Sequence, residues 1–86
     1  SASDVESAAQ SLDVRIGAAN AWTRALDRAA AEGQSGTVLL LAAVGMQTGD
    51  WAGVPPAALY RIIGALRAVG LTGEARMIAV EALTRL

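Results

Sequence analysis

The chain predicts an all-α protein, built as a small four-helix bundle or as two stacked antiparallel helical hairpins. Three observations carry that expectation. Hydrophobic residues fill 53% of the 86 positions. Much of that share is Ala, which loses no side-chain entropy in a helix. Phe is absent, Tyr occurs once and Trp twice, so the aromatic enrichment of strands is missing. Apolar residues also recur at helical spacing over most of the length. A chain this short makes one domain with a modest core.

The first helix is expected over about 3–32. Ser3-Asp4-Val5-Glu6 has the form of a capping box, Ser at the N-cap and Glu three residues on. Val5, Ala9, Leu12, Ile16, Ala19, Leu26 and Ala30 follow at the spacing of one helical face. Gly17 and Asn20 mark where such a long helix would break; a single helix is the preferred reading. Gly33 supplies a natural stop.

A second helix is expected over about 37–48, capped by Ser35 or Thr37. Its sequence is apolar nearly all round, which predicts a central helix wrapped by the others. The other reading gives one of its faces to a partner. The Gly49–Val54 stretch reads as the longest loop, with Asp50 anchoring the turn. Pro55-Pro56 then opens a third helix over about 56–69, because Pro fits a first turn and keeps the preceding residue extended. Its core face is expected to hold Leu59, Ile62, Ile63, Leu66 and Val69, with Arg61, Ala65, Arg67 and Ala68 away from the centre. Gly70 ends it. The fourth helix, about 73–85, starts after Thr72 as N-cap and is expected to bury Ala75, Ile78, Ala79, Ala82 and Leu83. Glu81 and Arg85 stand at i,i+4 on its exposed side.

A shift of 37 residues lays Gly33, Ser35, Gly36 and Ala42 over Gly70, Thr72, Gly73 and Ala79, and Ala21, Arg24 and Ala31 over Ala58, Arg61 and Ala68. Periods of this size read as helical-hairpin repeats. Leu59, Ile62, Leu66, Gly70, Ala75, Ala79 and Ala82 follow the spacing of a tetratricopeptide-type skeleton. Trp22, Ala25, Ala29, Gly33, Val38, Ala42 and Gly45 follow it more loosely. The chain thus resembles tetratricopeptide and Sel1-like repeats over about two thirds of its length. It departs from them at Ile63, where the family has Gly or Ala, and in its apolar second helix. The resemblance implies a scaffold that binds other proteins.

Composition limits the chemistry. There is no Cys and no His, so disulfides, thiolate or imidazole metal ligands and imidazole bases are excluded. Ser and Thr have no conventional activating base, and Ser3, Ser35, Thr37 and Thr72 are placed as helix caps. Asp4, Glu6, Glu74 and Glu81 fit helix ends or an ion pair, and Asp13 and Asp27 fit a solvated face. The glycines form neither a dinucleotide nor a phosphate-loop motif. The sequence calls for no enzyme activity, cofactor or metal. A net charge of −1 lacks the basic footprint of nucleic-acid binding. The longest apolar run, Val38 to Met46, is far short of the ~20 residues that a bilayer span needs.

The function expected is that of a non-catalytic protein–protein interaction module, partnered by another protein or peptide. Lysine-free, alanine-rich composition suggests a bacterial source, and Leu59–Leu86 reads as the closing hairpin of a larger protein. The candidate binding residues are Trp51, Tyr60, Arg61 and Arg67. Arg24 and Arg28, one turn apart, are a second place for an acidic peptide; Trp22 is expected in the core. The alternative is a self-assembling homo-oligomer joined along the first or second helix. Membrane-surface association ranks below both, because it wants a basic amphipathic helix.

Overall fold

The computed structural model of the chain describes residues 1–47 and 54–84. It contains four helices among these residues: α1 (Ala2–Ala31), α2 (Ser35–Gly45), α3 (Pro56–Ala68) and α4 (Thr72–Thr84). They form two antiparallel hairpins, α1–α2 and α3–α4. Helix α3 is the centre, packed against α1, α2 and α4.

Helix α1 runs unbroken through Gly17 and Asn20. At 1.5 Å per residue it is about 45 Å long, close to the 50 Å long axis of the whole molecule. Its cap lies two residues earlier than expected. Ser1, not Ser3, is the N-cap, and Asp4 rather than Glu6 completes the box. The Asp4 N–H donates to Ser1 Oγ at 3.4 Å, and Ser1 Oγ donates to Asp4 Oδ2 at 3.0 Å. The Ser1–Asp4 pair offers an equivalent cap two residues upstream, so the helix continues back to it.

The two hairpin turns are built alike. Gly33 and Gly70 have φ of 70° and 84°, the left-handed region that Gly enters without steric cost. After α1, Gln34 N–H donates to Ala29 O and Gly33 N–H to Ala30 O. After α3, Leu71 N–H donates to Leu66 O and Gly70 N–H to Arg67 O. Both are Schellman closures. The following helices therefore start directly, at Ser35 and Thr72. Gln34, not Ser35 or Thr37, holds the N-cap of α2, with no side-chain cap bond. Thr72 is already helical, since Ala75 N–H donates to Leu71 O.

Pro55 is extended (φ −60°, ψ 143°) and Pro56 occupies the first turn of α3, as the Pro pair requires. The core gathers Leu26 and Ala29 from α1, Val38 and Ala42 from α2, Ile62, Ala65 and Leu66 from α3, and Ala75 from α4. Val54, placed in a loop, is also buried. Ala65 is buried rather than turned away, because α3 has neighbours on more than one side and its buried arc is correspondingly wide. Leu83 is exposed, because α4 lies at the edge.

Helix α2 is not the wrapped centre that its composition suggests. It buries Val38 and Ala42 and half-buries Leu41, Gly45 and Met46, while Leu39, Leu40 and Val44 face out. Four helices can enclose one of their number only if three surround it, and here that place belongs to α3. Trp22, expected in the core, is half-buried at the α1–α2 seam. Its Nε1–H donates to Leu41 O at 2.8 Å. The Gly49–Gly53 loop, Asp50 and the Glu81–Arg85 pair's arginine lie outside the described residues.

Candidate interaction surface

Of the four expected binding residues, Trp51 lies outside the described residues. Tyr60 stands on α3 at 80% exposure. Arg61 reaches across to α1, its Nη1 donating to Asp27 Oδ2 at 3.0 Å. Tyr60, Arg61 and Asp27 rim an open groove of about 540 Å³ between α1 and α3, floored by Ala30, Gly64 and Ala68. Arg67 lines a different groove, between α3 and α4, with Thr72 and Arg76. The structure thus joins Tyr60 with Arg61 and sets Arg67 apart from them. Arg24 and Arg28 flank a third groove between α1 and α2, with Gln34 and Thr37 opposite.

None of these grooves is a built chemical site. No polar or charged side chain is buried among the described residues. No group of three Asp or Glu gathers there to hold a metal ion, and no helix there is long and apolar enough to cross a membrane. The Asp27–Arg61 pair is about half exposed on both sides. Such pairs contribute ~0–1 kcal/mol.

The larger feature lies on the apolar face of α1. Every residue from Ser1 to Ala21 is exposed. Val5 is 68% exposed, Leu12 50% and Ile16 51%. With Ala9 and Ala19 they continue, at alternating steps of four and three, the stripe that reaches the core at Leu26 and Ala30. Asp4 and Arg15 flank one edge of the stripe; Glu6 and Asp13 flank the other. The signal was available in the element lengths. A first helix of about thirty residues runs far beyond companions of eleven to thirteen, so half of its apolar face has no helix to meet.

Comparison with protein-family models, curated proteins and solved structures gives no significant match. The functional reading is therefore drawn from the chain's own surface.

Proposed function

We propose that the chain is a non-catalytic helical module that binds another protein, with the uncovered stripe of α1 as its docking face. The carrying observation is the exposure of Val5, Leu12 and Ile16 on a helix whose same stripe, further along, forms the core. Contiguous apolar surface of this kind marks an interaction site rather than ordinary solvated helix. The α1–α3 groove with Tyr60 and Arg61 is the second place on the same molecule where a partner segment fits.

The paired Schellman turns, 37 positions apart, support a helical-hairpin repeat of the tetratricopeptide kind, whose use is binding. Alanine-rich, lysine-free composition fits a portion of a larger bacterial protein. No polar or charged side chain is fully buried among the described residues, which favours a role without catalysis, since catalytic groups are usually set in desolvated clefts.

The test replaces Val5, Leu12 and Ile16 together by Gln, a good helix former. Folding stability of the dilute chain, read by urea denaturation, is expected to change by less than about 1 kcal/mol, as for surface substitutions. Binding of an apolar fluorescent dye should fall. A loss of several kcal/mol would mean that the stripe serves the chain's own fold, and the docking reading would be wrong.

A further inference from the structure

We infer that the partner of the α1 stripe is a second copy of this chain, laid antiparallel along residues 2–19. The assignment rests on the docking reading and adds the occupant. Three observations lead to it.

The first is area. The chain exposes 5925 Å². A compact monomer of 8.7 kDa exposes about 4,700 Å². The surplus, about 1,200 Å², lies on all sides of the elongated chain, and covering the stripe of α1 would remove part of it, toward the ~800 Å² that each partner contributes to a standard stable interface. The radius of gyration agrees: 15.0 Å against about 12 Å for a compact chain of this length.

The second is self-complementarity. A two-fold axis between Gln10 and Ser11 sets Val5 against Ile16 of the second copy, Ala9 against Leu12, and Ala2 against Ala19. Val5, Ala9, Leu12 and Ile16 then each meet another stripe position, and Ala19 meets the small Ala2 at the start of the helix. At the centre a small residue faces a large one, which lets two helices approach closely. Two-fold pairing through one shared patch is the commonest closed assembly.

The third is fit. Beyond Ala21 the same face of α1 is occupied by α2 and α3, starting at Trp22. In this register the second copy's Ser1 arrives beside Asn20, so its helix stops where the body begins. The overlap uses the whole exposed length, about 27 Å, and no more.

Charge distinguishes this occupant from others. The side chains of residues 1–20 set Asp4, Glu6 and Asp13 against Arg15, with the Ser1 ammonium 3.4 Å from Asp4; the remaining acidity opposes an anionic lipid surface. A basic protein would be drawn by those acids and released by salt. The self-pairing puts Arg15 near Asp4 of the second copy on one edge and Glu6 near Asp13 on the other. These close pairs offset one another and leave a weak net repulsion between two acidic segments, so its affinity should rise slightly, not fall, with salt.

Sedimentation equilibrium from micromolar to near-millimolar chain, at low and high salt, reads the outcome. A mass of twice 8.7 kDa is expected, with less than about a threefold change in affinity across salt. Leu12→Glu with Ile16→Glu should give a monomer of unchanged helicity. The chain has no cysteine, so orientation can be read by cross-linking. An oxidised mixture of Ala9→Cys and Leu12→Cys chains should yield mainly the mixed disulfide. A monomer at the highest concentration overturns the proposal, as does a dimer that survives both Glu substitutions. Predominant self-disulfides of each Cys variant overturn the antiparallel pairing. These failures differ from failure of the docking reading, which would appear as unfolding of the dilute Gln-substituted chain.

Discussion

The Trp22 ring packs on Gly45 in the first hairpin. A Cβ built on Gly45 would lie 2.5 Å from Cζ2 of the Trp22 ring. The ring has little freedom to retreat, because its Nε1–H is held by Leu41 O. Gly45 is the last residue of α2, where replacing Gly by Ala gains less than the roughly 0.5–1 kcal/mol of a helix interior. Here the steric term opposes and exceeds that gain, since overpacking costs about 1–3 kcal/mol. Gly45→Ala is therefore expected to destabilise the fold by about 1–2 kcal/mol in urea melts. Gly64→Ala is the control. Nothing stands within 4 Å of a Cβ there, so it should stabilise by about 0.5–1 kcal/mol. Equal effects of the two substitutions would remove the proposed contact. The sequence placed Trp22 in the core but could not supply its partner. Periodicity locates a face of a helix, while contact between Trp22 and Gly45 depends on how closely α1 and α2 approach.

Helix α1 has two halves with different support. Residues 2–20 are held only by their own backbone bonds and by the Ser1–Asp4 cap, while Leu26 and Ala29 are locked in the core. A marginal helix opens locally at low free energy. Amide exchange in the dilute chain should thus show residues 5–20 within about 2 kcal/mol of full opening, and Leu26–Ala30 near the global value. Gly17→Ala, with open space around it, should raise protection of the arm by about 0.5–1 kcal/mol and the global value by no more than that. Uniform protection along α1 at dilution would contradict this division. The four helices, their order and both glycine turns were legible because caps, Pro55-Pro56 and the 3.6-residue period are local signals. What was not legible is which apolar faces find neighbours. Val5, Leu12 and Ile16 read as one face with Leu26 and Ala30, because the spacing is the same whether or not a neighbour covers it. Leu39, Leu40 and Val44 read as core because α2 has no polar side. In both places the apolar face is exposed, because no other described element reaches it.

At the scale of the molecule, the chain divides into a compact body and a projecting rod. The body is closed by α3, which meets α1, α2 and α4. The rod contributes no buried residue. Truncation tolerance follows burial rather than sequence position, so a chain beginning at Asn20, itself a capable N-cap, should fold. Its midpoint temperature is expected within about 5 °C of the full chain's, equivalent to roughly 1 kcal/mol for a domain of this size. Small-angle scattering should give a radius of gyration near 11 Å, down from 15.0 Å. The shortened chain should also stay monomeric where the full chain pairs, because the surface removed is the one that α1 offers. A truncated chain that folds and still dimerises would move the interface to the outer side of α2, where Leu39, Leu40 and Val44 are the next exposed apolar cluster. A truncated chain that fails to fold would show that the rod stabilises the body through contacts that its full exposure does not provide.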